Sequence, residues 1–508
     1  MAAVVPAGVS ESDLAQALDA FEGALGHDRV ITAEAELREF RDPYSYKNSD
    51  EFDASAAVMP TSVEEVQQVV RIANEYGIPL WTFGQGRNNT YGGPAPRVQG
   101  SVLVNLRLMN RVLEVNEELA YAVVEPGVRW FDLFDAVEAA GGTLWPSIPD
   151  LGWGSVVGNS LEYGRGYTPN GDHAGNICGM EVVLPSGEVL RTGMGAMTNS
   201  KAWHVYQHSF GPSVEGLFKQ SNLGIVTSMG VWLMPRPEVY APCWAQFEGQ
   251  EAIEPLLDAV RGLMLEDIIR CHPLISRGIS TGASDSERVL DQSSRTWTIR
   301  FALYGREEIV DANYRVAERT LSAIPGVTVW RKTYRGDDRS GPLDHDERVQ
   351  AGIPDMDLLD LFMVPYGDDT GHLDFSPVGP FTGREIASTI KLMDSLYARH
   401  GHTYVVGILL LPRSAIHVST AFYDTKDEAQ TNAVYAAYTD MVVEMARAGY
   451  PIYRTNIHHM DVVAEQYDFN DHALRRFTET IKDALDPNGI LSPGKQGIWP
   501  KGRQPART

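Results

Sequence analysis

Two glycine-rich loops are the first places in this sequence where residue types favour ligand chemistry over packing. One covers residues 84–93 and the other residues 149–160. Without a Cβ, glycine lets backbone N–H groups converge on an anion. The first loop is neither a Walker A motif nor a G-x-G-x-x-G turn opening a helix, and taken alone it is also compatible with a plain surface loop. Two such loops about 60 residues apart, with a turn at 125–127 between them, indicate one extended ligand such as a dinucleotide.

Tyrosine, arginine and aspartate side chains in or near such loops are the candidates for substrate chemistry. Tyr91 lies within the first loop, where a tyrosine has no core to fill. The pair Tyr453-Arg454, taken alone, is also compatible with a surface pair at a strand end. Tyr167 is nearly as compatible with buried packing, and Asp150 follows a proline and could simply support a turn.

Secondary-structure signals around these loops alternate between helix and strand. Ser62 and Glu65 form a capping box before an apolar helical face, and Gly77 ends that helix. Strands are predicted at 78–83, 101–106, 119–124 and 224–233, with a helix at 130–140 and a hairpin around 182–190. This alternation predicts an α+β or α/β domain.

The pattern changes after about residue 238. Amphipathic helices are predicted at 254–265, 311–323, 383–400 and 429–448, and strands at 297–304, 403–411 and 415–422. Few glycine-rich loops interrupt them, so the sequence predicts a separate domain with one sheet covered by helices. A last helix, 471–485, is followed by a compact turn at 486–489.

Composition excludes several classes of protein. The 508 residues contain 43 basic and 67 acidic side chains, and a net charge of -24 disfavours binding to nucleic acid or to an anionic membrane. Three cysteines without C-x-x-C spacing predict reduced thiols and, with no apolar run long enough to span a bilayer, a cytoplasmic protein. His458-His459 lacks a third ligand at sensible spacing, so no metal site is expected.

Seven motifs then occur in a specific order. They are residues 86–93, 149–159, 166–173, 222–227, 372–377, 453–455 and 486–495. In this order they resemble the vanillyl-alcohol oxidase and para-cresol methylhydroxylase family of FAD flavoproteins, most closely its bacterial eugenol oxidase-like branch of 4-alkylphenol oxidases. Any one motif would be weak, but together they span about residues 60–499 and are highly specific.

The resemblance implies an α+β fold of the para-cresol methylhydroxylase type with two domains. The FAD-binding domain would consist of residues 1–238 and 461–508. The cap domain, residues 239–460, would carry the substrate pocket on a sheet covered by helices. Family members are commonly dimers or larger, so a homodimer or higher homo-oligomer is expected.

The resemblance also implies how FAD is held. His372 matches the histidine that binds the flavin covalently, although the preceding loop, 366–370, is longer than expected for the family and cresol methylhydroxylase-like members use a tyrosine there. The expected non-covalent contacts are Gly86, Arg87, Asn88, Asn89, Gly92, Pro149, Gly154, Ser155, Gly158, Asn159, Gly224, Ile225, Val226 and Lys495.

The implied activity is oxidation of para-substituted phenols at the benzylic carbon through a quinone methide. The substrates would be 4-alkylphenols, 4-hydroxybenzyl alcohols and eugenol-like compounds. Hydride loss is easy only from the phenolate, so the site must lower a phenol pKa that is near 10 in water. By resemblance Tyr91, Tyr453 and Arg454 surround the phenol oxygen and Tyr167 is a third pocket tyrosine. Asp150 would lie beside flavin N5, to stabilise positive charge or to act as base for water.

The sequence departs from the family pattern at two positions, and it leaves one alternative for the electron acceptor. Thr90 stands where the family usually has glycine, and a positive φ there would be strained. Asp374 is an extra acid that would disfavour a nearby phenolate unless paired or solvated. The electron acceptor is expected to be O2, giving H2O2. A same-fold dehydrogenase that uses a cytochrome or another acceptor is the alternative, and a flavin-binding scaffold without a phenolate site is disfavoured by the tyrosine–arginine set.

Overall fold

Parallel strands near the N-terminus lead directly into the first glycine-rich loop. The computed structural model describes residues 4–47, 49–278, 294–338, 344–363 and 365–504. Val102–Asn105 lies between Ala56–Val58 and Leu80–Phe83 in parallel register, and Val30–Ile31 adds an antiparallel edge. Because Leu80–Phe83 ends at residue 83, the backbone enters loop 84–93 at the carboxyl edge of this sheet, where ligands commonly bind.

Two amphipathic helices pack against this sheet, Glu11–Leu25 and Val63–Tyr76. The Ser62 hydroxyl accepts a hydrogen bond from the Glu65 N–H, as the predicted capping box requires. The Glu65 carboxylate, however, accepts from the N–H of Thr61 rather than from that of Ser62. The reciprocal half of the box is therefore shifted by one residue.

An antiparallel sheet packs against the helix that begins in the second glycine-rich loop. Its strands, in spatial order, are Val112–Asn116, Tyr121–Val124, Ile225–Trp232, Ile177–Val183 and Val189–Arg191. The last two form the predicted hairpin. Helices Trp130–Ala139 and Val156–Leu161 share a hydrophobic core with the sheet, and the second of them begins within the glycine-rich loop.

A large antiparallel sheet dominates the region after residue 238. Its main path runs through Thr328–Arg331, Val239–Glu248, Thr296–Gly305, Leu274–Arg277, Gly407–Leu410, Ser414–Asp424 and Thr370–Phe375, with Tyr334–Arg335 and Val378–Pro380 pairing at its sides. Helices Ile253–Leu265, Glu307–Ser322, Gly383–Arg399 and Glu428–Arg447 bury their apolar faces in the core that the sheet also supplies. The predicted α+β class and the helix-covered sheet are confirmed.

The predicted strand 403–411 is shorter in the structure. Only Gly407–Leu410 pairs with its neighbours. Tyr404 and Val406 are buried but lie before the strand, and the Tyr404 hydroxyl bonds to His417 Nδ1 at 2.9 Å. Because these side chains are buried although they precede the strand, the apolar run in the sequence is longer than the strand.

The C-terminal segment returns to the first sheet. After helix Phe469–Leu485, Leu491 forms a parallel bridge with Leu80. Lys482 and Asp486 form a fully buried ion pair of 2.6 Å, and the Lys482 ammonium also donates to the carbonyls of Asn222 and Leu491 at 2.7 Å each. This buried cation ties the C-terminal turn to loop 220–226, which reaches the candidate site.

Short elements complete the described chain. Leu144–Trp145 pairs with Met234–Pro235. Short α-helices are Glu34–Leu37, His345–Gln350, Leu358–Met363 and Met460–Glu465, and 3-10 turns are His27–Arg29, Arg38–Phe40, Leu106–Leu108, Gly193–Ala196, Glu215–Phe218, Gly367–Asp369, Ile457–His459 and Lys495–Gly497. Within the described ranges, none of the helices has the length and apolar character that a membrane span requires.

Candidate active site

One cavity of about 450 Å³ connects the glycine-rich loops with the large sheet. Its wall includes loop residues 84–89, 154–155 and 157–159, together with residues from strand segments 274–276, 298–300 and 416–422. All five residues predicted to act on the substrate line it: Tyr91, Asp150, Tyr167, Tyr453 and Arg454. Of the residues predicted to hold the cofactor, all except Gly92 and His372 line it as well.

Arg454 lies against two tyrosine rings in the cavity wall. Its guanidinium carbon is 4.2 Å from the ring centre of Tyr91 and 5.4 Å from that of Tyr453. Its Nη1 donates to the Glu162 carbonyl at 3.3 Å, whereas its buried Nε has no hydrogen-bond partner among the described residues. The Arg454 side chain therefore keeps one N–H that is unsatisfied among the described residues.

The protonation states around Arg454 suit an anionic oxygen. Burial lowers the pKa of Arg454, but the neighbouring Tyr453 and Tyr91 outweigh it and the net pKa lies above the usual range. Burial raises the pKa of Tyr91, with only partial opposition from Arg454. Arg454 thus stays a cation and Tyr91 a neutral O–H donor, and both favour a phenolate over a phenol.

Residues on either side hold this cluster in place. Gln220 Nε2 donates to the Tyr453 carbonyl at 2.9 Å, and Asn456 Nδ2 donates to the Thr90 carbonyl at 2.8 Å. The segment 453–456 and the first glycine-rich loop are therefore linked by side-chain hydrogen bonds.

Thr90 has the strained backbone that its departure from glycine predicted. Its φ is +75°, which a β-branched residue rarely adopts, and its side chain is buried. The Thr90 hydroxyl donates to the His372 carbonyl at 3.1 Å and accepts from the Asp374 N–H at 2.8 Å. Glycine could make neither bond, so these contacts offset strain of the order of 1–3 kcal/mol.

Asp150 lies in the cavity wall with both oxygens engaged. Its Oδ2 accepts from the Tyr167 hydroxyl at 2.5 Å, and its Oδ1 contacts Arg300 Nη2 at 3.3 Å and His345 Nε2 at 3.2 Å. Burial raises the Asp150 pKa, but His345 and Arg300 outweigh it and hold the pKa well below its usual range. A carboxylate that binds protons so weakly suits stabilisation of positive charge better than proton abstraction.

A second ring of charges supports Asp150, and the sequence analysis missed it. Arg300 also forms a buried ion pair with Asp346 and lies 4.2 Å from the ring centre of Tyr167. His345 Nδ1 contacts Asp355 Oδ1 at 2.6 Å. The only available signal was an arginine in the middle of strand Thr296–Gly305, whose other residues are all uncharged.

The glycine-rich loops fit an extended dinucleotide such as FAD. A Cβ on Gly84 would lie 2.5 Å from the Pro126 carbonyl and 2.7 Å from Ser155 Oγ, so the loops meet in a way that only glycine permits. Ser155 Oγ donates to that carbonyl at 2.6 Å and accepts from the Gly158 N–H at 2.9 Å. Asn222 Oδ1 is buried in the wall with no hydrogen-bond partner in the described chain. The close approach of the two loops and the unpaired polar atom in the wall therefore fit a polar cofactor such as FAD.

His372 lies behind this wall rather than in it. Its Nε2 contacts Asn89 Oδ1 at 3.1 Å, and its ring centre is 4.0 Å from that of Tyr44. Burial lowers the His372 pKa to about 3, so the imidazole is neutral and retains a nitrogen lone pair. That is the form a covalent bond to flavin requires.

Gly92 is not among the residues that line the cavity, and it packs closely against Ile457. Its φ is +98°, and a Cβ there would lie 2.7 Å from the Ile457 side chain. The glycine lets the first loop pack against the segment that follows Arg454. His458 and His459 are in ring contact with aromatic neighbours, and the residues that the structure describes contain no group of three or more metal-binding side chains.

Comparison with known proteins identifies two FAD-linked domain families in the chain. Residues 54–193 match the FAD binding domain model, and residues 383–496 match the C-terminal domain model of FAD linked oxidases. The chain is 32% identical to the 4-cresol dehydrogenase [hydroxylating] flavoprotein subunit of Pseudomonas putida, over 98% of both chains.

Two solved structures share the whole architecture. One is the 4-ethylphenol oxidase from Gulosibacter chungangensis in its isoeugenol complex, with a TM-score of 0.90, 37% identity and coverage of 98% of this chain and 100% of that one. The other is p-cresol methylhydroxylase with substrate bound, with a TM-score of 0.90, 32% identity and coverage of 98% and 99%.

Proposed function

The chain belongs to the vanillyl-alcohol oxidase and para-cresol methylhydroxylase family of FAD flavoproteins, and from that premise we propose that it oxidises para-substituted phenols at the benzylic carbon. The chain is an FAD-dependent oxidoreductase. The observation that carries the proposal is the part of the cavity wall where the Arg454 cation lies against Tyr91 and Tyr453. That arrangement favours binding of a phenol in its ionised form.

In the proposed reaction Arg454 and the tyrosine hydroxyls hold the substrate oxygen as a phenolate. The electron pair of that oxygen moves into the ring as a hydride leaves the benzylic carbon, and the product is a neutral quinone methide. When bound, FAD supplies the acceptor for that hydride. The Asp150 carboxylate, kept ionised by His345 and Arg300, stabilises the positive charge that develops on the benzylic carbon. Its low pKa favours this charge-stabilising role over general-base catalysis.

We propose that the loop residues in the cavity wall hold FAD and that His372 is bonded to it. Residues Gly86, Arg87, Asn88, Asn89, Pro149, Gly154, Ser155, Gly158, Asn159, Gly224, Ile225, Val226 and Lys495 are the proposed non-covalent contacts. Support for the covalent bond is the neutral His372 ring directly behind Asn89.

Acid denaturation tests the covalent bond. We expect a yellow pellet from the wild-type protein and a colourless pellet with a yellow supernatant from His372→Ala. A colourless wild-type pellet would exclude the covalent bond but would agree with non-covalent binding of FAD.

The proposed acceptor of the electrons is O2, reduced to H2O2. The histidine at position 372 supports an oxidase, because cresol methylhydroxylase-like members of the family use a tyrosine at this position. A dehydrogenase that passes electrons to a cytochrome is the second candidate, and the 32% identity to the 4-cresol dehydrogenase flavoprotein subunit favours it. We also propose a homodimer or higher homo-oligomer, which gel filtration with light scattering tests.

One experiment tests both substrate class and acceptor. The holoenzyme is reduced anaerobically with 4-ethylphenol, vanillyl alcohol or eugenol and then mixed with air. Bleaching of the flavin followed by rapid recovery and peroxide release is the expected result. Bleaching that persists for minutes in air would favour the dehydrogenase, and no bleaching with any of these phenols would contradict the proposed function. Tyr453→Phe is the matched control, which should keep FAD but be reduced much more slowly.

A further inference from the structure

A buried carboxyl group lies beside the proposed phenolate site and has no part in the reaction described above. Asp374 belongs to strand Thr370–Phe375, lines the cavity and is only 8% exposed. Asp374 shares this cavity wall with Tyr91 and Arg454, and its backbone N–H bonds to the hydroxyl of Thr90, the residue before Tyr91. The carboxyl group therefore lies next to the proposed site of the phenol oxygen.

Two hydrogen bonds fix the position of Asp374. Its Oδ1 accepts from the Thr420 hydroxyl at 2.6 Å, and Thr420 is its direct partner on the neighbouring strand. Its backbone N–H donates to Thr90 Oγ1, one residue before Tyr91. Asp374 Oδ2 makes no hydrogen bond to the described residues, and the second oxygen is thus available to a ligand in the cavity.

The charge of this group constrains which phenols fit. Burial raises the Asp374 pKa to about 6, opposed in part by Thr420 and Arg454, so the group is mainly a carboxylate at pH 8. A carboxylate next to a phenolate is repulsive unless a proton donor lies between them. A hydroxyl on the ring carbon adjacent to the phenol carbon is such a donor, whereas a methoxy group at that position only accepts.

We infer that Asp374, held by Thr420, forms a subsite for a ring hydroxyl adjacent to the phenol oxygen, so that this enzyme prefers 4-alkylcatechols to the corresponding 2-methoxyphenols. The inference rests on the proposed function, since it names the substrate class of the same site. A substrate with the hydroxyl satisfies Asp374 Oδ2. A methoxy substrate leaves this acceptor without a donor and places two lone-pair oxygens against each other.

Binding of ligands that cannot undergo benzylic oxidation tests the subsite without the proposed reaction. Phenol, catechol and 2-methoxyphenol have no benzylic carbon. Their dissociation constants are measured on the anaerobic holoenzyme at pH 8 by calorimetry or flavin absorbance, for the wild type, Asp374→Ala and Asp374→Asn. In the wild type we expect catechol to bind roughly 10–100-fold more tightly than 2-methoxyphenol, the range for a hydrogen bond to a charged group. In Asp374→Ala the ratio should fall to within about threefold.

The isosteric variant separates recognition from pocket shape. Asp374→Asn keeps the volume and can donate to a methoxy oxygen, so the ratio should fall here too, while phenol binds at least as tightly as in the wild type. A wild-type ratio near one, or a ratio unchanged in both variants, would overturn the inference. Failure of the proposed function has a different signature, because then 4-ethylphenol and 4-ethylcatechol would both leave the flavin oxidised whatever the binding ratios.

Discussion

Replacing Asp374 by asparagine should stabilise the protein above neutral pH. Asp374 is buried, and its pKa is about 6 against a usual value of 3.8. A raised carboxyl pKa means that the folded state binds the proton more tightly than the unfolded state, so ionisation destabilises the fold. The cost is absent below pH 3.8, grows as the pH rises toward 6 and is complete above that value.

The size of the effect follows from that shift. About two pKa units correspond to roughly 3 kcal/mol at about 1.4 kcal/mol per unit. For a chain of 508 residues the unfolding entropy makes 1 kcal/mol worth about 1 °C in melting temperature. Asp374→Asn is therefore expected to melt about 3 °C higher than the wild type at pH 8 and at the same temperature near pH 4. Asparagine keeps the acceptor for Thr420, so the comparison isolates the charge.

The assay is the melting temperature of the holoenzyme by scanning calorimetry between pH 4 and pH 8. Asp19→Asn, on the exposed face of helix Glu11–Leu25, is the matched control and should follow the wild-type curve at every pH. Parallel curves for Asp374→Asn and the wild type would refute the reasoning, because they would show that the Asp374 carboxylate has no ionisation cost in the folded protein.

Three further substitutions test other parts of the account. Arg454→Met removes a cation that, at about 4 Å from a phenolate oxygen, stabilises the phenolate by roughly 4 kcal/mol at an effective dielectric of 20. The pH profile of flavin reduction should therefore move up by about three units. An unmoved profile would contradict the phenolate role. Asp150→Asn should slow flavin reduction by about 10²-fold or more at unchanged FAD content, measured by anaerobic stopped flow, and full-speed reduction would count against charge stabilisation. Lys482→Met leaves Asp486 buried without its cation and should lower the free energy of unfolding in urea titration by roughly 3–5 kcal/mol. Adding Asp486→Asn should restore part of that loss. A wild-type midpoint for the single variant would show that the ion pair does not hold the C-terminal turn.

The parts of the site that sequence could predict are those with local motifs. Tyr91 lies in a glycine-rich loop, where a tyrosine has no core to fill. Arg454 follows a tyrosine, in a motif that stands at the expected place in the order of motifs. Both line the cavity. The strain at Thr90 was also predictable from a local motif, because a position usually occupied by glycine indicates a positive φ.

The parts that could not be predicted depend on contacts between distant segments. Arg300 and His345 contact Asp150, and Asp355 contacts His345, only because the fold brings residues 300–355 against loop 149–160. No periodicity or spacing within the sequence links these positions. Likewise, the sequence showed Asp374 as an extra acid, but its anchoring by Thr420 depends on the register between two strands about 45 residues apart.

The central claim is that the substrate reacts as a phenolate, and the most direct test compares 4-ethylphenol with its methyl ether, 4-ethylanisole. The two have the same benzylic carbon, but the ether cannot ionise. In anaerobic stopped flow, the account predicts that 4-ethylphenol reduces the flavin fully, whereas 4-ethylanisole at saturating concentration leaves it oxidised over the same time. Reduction by the ether at a rate comparable to that of the phenol would contradict the account.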